Sequence, residues 1–213
     1  RKWKLTFTIN KKKIVFNFRK RDIINGGEGA PLTPIFHKYL IKSKKINLPA
    51  GLLNIGGISN FTFMKELNNL SIFSKDVGPG NCLIDSWIQK FTEDKFDEEG
   101  KISSRGNINE VILEQALEVH ENNFKNKDNI SLDTNDFDIS FVRGLSLEDG
   151  AATLTAFTAK VISSNIKNFL KNFNDNKLTI LLCGGGRKNK NLIDHIKFNL
   201  NKNFILVNSD KFN

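Results

Sequence analysis

The sequence predicts an α/β fold in which helices cover the faces of a mixed β-sheet. Three observations carry this. Short apolar runs come in pairs, Leu5 to Ile9 with Ile14 to Phe18 and Leu52 to Ile55 with Phe61 to Met64, as hairpins do. A long stretch from Leu147 to Leu170 repeats apolar residues at helical spacing. The apolar run Leu178 to Leu182 is followed by a helical pattern and then by a last strand-like run, Ile205 to Val207. Strand pairs joined to long helices bury their apolar faces best as a sheet with helices packed on it.

Taken in order, the first hairpin turns at Lys11 to Lys13, and a loop is expected from Arg19 to Pro34. Pro34 then starts a short helix over Ile35 to Ile41, since proline is tolerated in a first helical turn. Gly56-Gly57 pins the second hairpin, where glycine supplies positive φ. Ser71 to Ser74 reads as a further strand ending at Asp76, and helices are expected over Asn81 to Phe91 and Asn109 to His120. The helix Leu147 to Leu170 presents Leu154, Phe157, Val161, Ile162, Ile166, Phe169 and Leu170 on one broad face. Leu178 to Leu182 is a buried strand, and Asn191 to Leu200 is the helix after it. The segment from Lys125 to Asp138 is polar and rich in Asn and Asp, and reads as a surface loop or a substrate-facing segment.

With 213 residues and 39% hydrophobic content the chain is long and apolar enough to bury a core. No apolar run approaches the roughly 20 residues that cross a bilayer. Residues 1 to 13 alternate basic and apolar types, unlike a signal peptide, so a cytoplasmic protein without membrane contact is expected. The net charge of +9 suits a nucleic-acid partner, but the lysines are dispersed and the one dense run sits at a hairpin turn. We therefore expect a solvated basic surface and no nucleic-acid partner. Cys82 and Cys183 lack zinc-ligand spacing and read as reduced thiols; His37, His120 and His195 fall in helices without a second ligand at i+3 or i+4.

The chemistry lies in four glycine-rich stretches: Asn25-Gly26-Gly27-Glu28-Gly29-Ala30-Pro31, Asn54-Ile55-Gly56-Gly57-Ile58-Ser59-Asn60, Asp76-Val77-Gly78-Pro79-Gly80-Asn81 and Cys183-Gly184-Gly185-Gly186. A strand that runs into a glycine turn aims successive backbone N–H groups at one place and lets an anion approach them. Leu52 to Gly57 fits, with Ser59 and Asn60 as side-chain donors, and a three-glycine turn suits a nucleoside lying on bare backbone. The pattern is neither G-x-G-x-x-G nor a P-loop. Asp22, just before the first glycine stretch, is the candidate general base, although taken alone it reads rather as a loop staple paired with Arg19 or Arg21. Asp76 either faces a magnesium-bound water or caps the Gly-Pro-Gly turn, and Asp85 is expected on the exposed or rim side of its helix.

Phe18-Arg19 with Asp22, the Gly26 to Leu32 block, Asn54 to Asn60, Asp76 to Asn81, Asp149 to Thr155 and Cys183 to Gly186, in this order and spacing, resemble the anhydro-N-acetylmuramic acid kinases. The resemblance implies the actin-like/sugar-kinase (ribonuclease H-like) fold, whose two lobes close on ATP. It implies conversion of 1,6-anhydro-N-acetylmuramic acid, ATP and water to N-acetylmuramic acid 6-phosphate and ADP, with Mg2+, in bacterial peptidoglycan recycling. By the same resemblance Asp22 is the catalytic aspartate, and Glu28, Gly29, Ala30 and Pro31 bind the amino sugar. Gly56, Gly57, Ser59, Asn60, Gly78, Gly80 and Asn81 bind the ATP phosphates, with Asn81 capping its helix. Gly184, Gly185 and Gly186 bind adenosine. No metal ligand is assigned apart from Asp76 through water, and a homodimer is left open for the complete protein.

The chain departs from the family at Glu28, where Gln is common, and at Ser131 to Phe137, where many members read Lys-Ser-Thr-Gly-Arg-Glu. The opening Gly-Thr-Ser-x-Asp-Gly phosphate loop is absent. Residues 1–213 are thus expected to be one partial chain, chiefly the C-terminal lobe of a two-lobe kinase, inactive alone. Two other readings are another sugar kinase of the superfamily, separable with a panel of sugars, and a non-catalytic nucleotide-binding lobe, in which Asp22→Asn would change nothing.

Overall fold

The computed structural model describes residues 6–9, 11–15, 18–26, 33–67, 71–124, 131–172 and 177–212. Within them the strands are β1 (Thr6–Ile9), β2 (Lys12–Val15), β3 (Ala50–Ile55), β4 (Ile58–Met64), β5 (Ile72–Pro79), β6 (Leu178–Cys183) and β7 (Phe204–Asn208). The helices are α1 (Phe18–Ile24), α2 (Pro34–Ser43), α3 (Cys82–Phe91), α4 (Glu110–Phe124), α5 (Leu147–Phe169) and α6 (Lys190–Leu200). β1 and β2 form an antiparallel pair, and the remaining strands make a mixed sheet in the order β5-β4-β3-β6-β7. This is the α/β class expected, with β3 to β5 antiparallel neighbours and β6 and β7 parallel to β3.

Alternation along the strands sorts the sheet into two faces. Leu53, Ile55, Phe61, Phe63, Ile180 and Leu182 pack into the main core with α3, α5 and α6. Residues on the other face pair as Ala50 with Met64 and Leu52 with Thr62. There α2 supplies Ile41 to a small cluster with Ala50 and Met64, and His37 shares a buried hydrogen bond of 2.8 Å with Thr62 Oγ1. α5 is buried along much of its length because it lies between the sheet and α3, α4 and α6. Its start is fixed by Ser146, whose Oγ accepts from Asp149 N–H at 3.1 Å, as an N-cap does. Gly150 in its first turn admits the Trp87 ring of α3, and Trp87 Nε1 donates to Leu147 O at 2.9 Å. A methyl group at Gly150 would collide with that ring.

Several boundaries differ from the sequence expectation, each for a physical reason. The first turn is shorter than Lys11 to Lys13: Ile9 pairs with Lys12, and Lys11 takes φ 63° in the tight connection. The expected loop from Arg19 opens as helix α1. The run Asp76-Val77-Gly78-Pro79 is strand, not turn. Pairing with β4 continues past an irregularity at Ser59/Asn60 to Ile58↔Pro79, and β5 is an edge strand, where proline costs no ladder bond. The polar segment is a tethered loop over its described part, with a capping box between Asp133 and Asp136.

Candidate functional site

The topology brings three of the four glycine stretches to one edge of the sheet. β3 and β6 run parallel, Asn54 beside Cys183, so both end at that edge and run into Gly56-Gly57 and Gly184-Gly185-Gly186. β4 starts there, and its first residue pairs with Pro79, which delivers Gly80 and Asn81 to the same place. The strand order reverses at β3, with an antiparallel neighbour on one side and a parallel one on the other. Crevices outside the carboxyl ends of strands at such a point are where open α/β sheets take ligands.

Backbone bonds fasten the turns together. Gly80 N–H donates to Gly57 O at 2.8 Å and Asn81 N–H to Gly56 O at 2.7 Å, so α3 begins directly against the Gly56-Gly57 turn. Gly80 must be glycine, since a Cβ there would run into the Gly56 carbonyl. Gly184 must be glycine on two counts: it holds φ 80° and lies against the Ile55 carbonyl. Gly78 is likewise glycine on two counts: it holds φ 135° and lies against Val161 of α5.

Gly56, Gly57 and Gly185 are different. None has a left-handed φ, contrary to the expected reason for Gly56 and Gly57. A Cβ at Gly56 or Gly57 would meet its nearest neighbour at 3.4 Å, an ordinary contact, and at Gly185 at 4.0 Å. The described fold does not need glycine at these positions. Bare backbone that the fold does not use is available to a ligand.

Asn81 does not cap α3 with its side chain. Its amide lies across the Gly184 to Gly186 loop instead, with Oδ1 2.9 Å from where a Gly186 Cβ would stand and Nδ2 4.0 Å from that of Gly185. The cap fails because Asn81 has helical φ/ψ of −81° and −11°, whereas capping residues are extended. Ser59 is fully buried, and among the described residues neither its Oγ nor the buried Asn60 Oδ1 has a hydrogen-bond partner.

Asp76 neither caps a turn nor stands free. Its Oδ2 accepts from Leu132 N–H at 3.0 Å and Ser131 Oγ at 3.4 Å, tying the 131–136 loop to the sheet edge. That loop places the Thr134 methyl 3.4 Å from the Cβ position of Gly57. Asp85 is half-buried on α3 rather than on an exposed rim. Burial, and then the neighbouring Asp97 carboxylate, push its carboxyl up to about 6. Burial raises the Cys82 and Cys183 thiols, so both stay protonated at neutral pH. Among the described residues no group of three or more His, Cys, Asp or Glu side chains is placed to hold a metal ion.

Sequence reasoning missed Arg187. Its Nη1 donates to Gly184 O at 2.6 Å, while Nε and Nη2 hold Asp210 at 3.1 and 2.7 Å, so one planar fork fixes the glycine loop to the end of the described chain. An arginine three residues past a glycine turn was the available signal. Asp22 lies on α1 with its side chain outside the described residues. Gly26 follows α1 with φ 86°, and Glu28, Gly29, Ala30 and Pro31 also lie outside the described residues.

Residues 6–212 match the family described as anhydro-N-acetylmuramic acid kinase. Curated relatives of that name include one from Pelagibacter ubique, 48% identical over 208 residues, covering 98% of this chain and 55% of the relative. Another, from Zymomonas mobilis, is 39% identical over 176 residues, covering 83% and 46%. The chain spans about half the length of the curated relatives it matches. A solved structure, the activator of the 2-hydroxyisocaproyl-CoA dehydratase from Clostridium difficile with bound ADPNP, overlaps at a TM-score of 0.42 and 16% identity, covering 76% of this chain and 55% of that one. An overlap that loose carries no argument. Among the described residues no helix is long and apolar enough to cross a membrane.

Proposed function

The chain belongs to the anhydro-N-acetylmuramic acid kinase family, and from that premise we propose that its protein uses ATP to open and phosphorylate 1,6-anhydro-N-acetylmuramic acid. The product is N-acetylmuramic acid 6-phosphate, and the setting is cytoplasmic recycling of peptidoglycan sugar. The observation that supports this best is the set of glycines the fold does not need. Gly56 and Gly57 lie where α3 begins, and Gly185 lies across Asn81 from them. A phosphate chain over Gly56-Gly57 and a nucleoside over Gly184 to Gly186 would use all three. The unpartnered Asn60 Oδ1 and Ser59 Oγ lie on the strand returning from the same turn. On its half of the relatives' length the chain would form chiefly the second lobe of a two-lobed kinase.

In the proposed chemistry Asp22 takes a proton from water as that water forms a bond to the anomeric carbon. The bond from the anomeric carbon to the bridging oxygen breaks, this oxygen bonds to the γ-phosphorus, and ADP leaves. Backbone N–H groups at the glycine turns and the positive end of α3 would favour the phosphates. Mg2+ bound with ATP would supply charge neutralisation, and Asp76 would hold it through water. Glu28 to Pro31 would contact the amino sugar.

The test is ADP release by the full-length protein with the anhydro sugar and with a panel of ordinary hexoses. Turnover is expected on the anhydro sugar only, and Asp22→Asn should lower it by about 10²–10⁴-fold, the usual contribution of a general base. Turnover on a hexose but not on the anhydro sugar would overturn the substrate assignment, and an unchanged Asp22→Asn would remove Asp22 from the chemistry.

A further inference from the structure

Asp85 is a half-buried carboxylate for which no hydrogen-bond donor is found among the described residues. Its neighbour Asp97 is buried, with only 4% of its surface exposed, and is satisfied: Oδ1 accepts from Ile102 N–H at 2.7 Å and Oδ2 from Ser103 N–H at 3.0 Å. Asp97 therefore repels Asp85 without offering it a proton donor. An ionised group in such a place costs stability, and a partner from outside the chain would offset that cost.

Its surroundings identify the partner's chemistry. Asp85 N–H donates to Asn81 O at 2.7 Å, so Asp85 stands one turn further along α3, about 6 Å on and on the same helix face as Asn81. The Asn81 amide lies across Gly186. The segment that carries Asp97 closes the other side, since Gly100 lies against Asn189 and Asn191 immediately after the same glycine loop. Asp85 thus neighbours Asp97, whose partner Ser103 accepts from Asn191 Nδ2 at 3.0 Å, which links Asp85 through Asp97 to the segment that follows Gly186. The argument rests on the nucleotide reading above. With phosphates where α3 begins and the base on Gly185, the part of the nucleotide one helix turn from the phosphates is the ribose. Its cis 2′- and 3′-hydroxyls are two adjacent donors, the pattern that one carboxylate accepts with both oxygens.

We propose that Asp85 accepts hydrogen bonds from the ribose hydroxyls of the bound nucleotide and makes the site selective for ribonucleotides. ADP and 2′,3′-dideoxy-ADP, titrated calorimetrically into the full-length protein and its Asp85→Asn variant, test this. The wild type should bind ADP about ten- to a hundredfold more tightly than the dideoxy analogue, the effect of losing hydrogen bonds to a charged group. Asp85→Asn should abolish that preference by weakening ADP alone, and should melt no lower than wild type, because it removes an unpaired charge beside Asp97. Equal wild-type affinity for both ligands, or a preference that survives in the variant, overturns the assignment. Binding of neither ligand overturns the nucleotide reading and this assignment with it. Should Asp85→Asn fail to fold, Asp85→Ser carries the same test: it should bind both ligands alike, and a surviving preference for ADP overturns the assignment.

Discussion

Gly57 and Gly80 are hydrogen-bonded to each other yet are glycine for opposite reasons. At Gly80 a side chain would strike the Gly56 carbonyl, so the fold excludes it; at Gly57 it would meet only the Thr134 methyl at contact distance. Gly57→Ala is therefore expected to change stability by less than about 1 kcal/mol, and to raise it if reduced freedom of the unfolded chain dominates. It should still weaken ADP binding at least tenfold, about 1.4 kcal/mol, because the methyl group occupies the approach to the turn. Gly80→Ala should cost about 1–3 kcal/mol through overpacking. Thermal melting and calorimetric titration of the two variants separate the effects, and a Gly57→Ala protein that binds ADP normally would remove that turn from the site. The sequence marks both positions with the same letter, and their different roles become visible only when the turns are brought together.

Among the elements, those with a strong period were legible. The helix expected from Leu147 to Leu170 is α5 to within a residue, since its apolar face is continuous and Ser146 caps it. β5 was misplaced because Gly78 and Pro79 signal a turn, while tertiary pairing with β4 keeps the chain extended through both. Asn81 was expected to cap α3, but the bonds from Gly80 and Asn81 to the glycine turn hold it in helical geometry and send its amide elsewhere. The 131–136 loop was ambiguous because its anchor, Asp76, is 56 residues away from Leu132 in sequence. Bonds to a charged acceptor contribute about 1.5–3 kcal/mol, so Asp76→Ala should free this loop. Exchange of the Leu132 amide is expected to accelerate by roughly ten- to a hundredfold by local opening, with α5 amides unaffected. An unchanged Leu132 rate would mean that the loop is held by other contacts.

For the whole molecule, the sheet order decides that three glycine stretches meet at one edge, which no local pattern states; of the fourth, only Asn25 and Gly26 are among the described residues. The same enclosure sets opposing electrostatic terms. His37 is buried under α2 against Thr62, and desolvation lowers its imidazole from 6.5 to about 4; His120 and His195 are lowered as well, chiefly by burial. The unfolded chain then binds protons that the folded histidines refuse, so their contribution to stability is present above 6.5 and is lost as pH falls towards 4. Asp85 works the other way. Its carboxyl is raised from 3.8 to about 6, so its contribution is present below 3.8 and is lost as pH rises through 6. Between pH 4 and 6.5 the two opposing trends overlap, and three histidines against one aspartate should leave stability falling modestly on acidification. Asp85→Asn removes the opposing term and should steepen that fall, while His37→Asn should flatten it. Urea midpoints of the three proteins across this range measure both slopes, and an Asp85→Asn curve parallel to wild type would show that the Asp85 carboxyl titrates alike in the folded and unfolded chains.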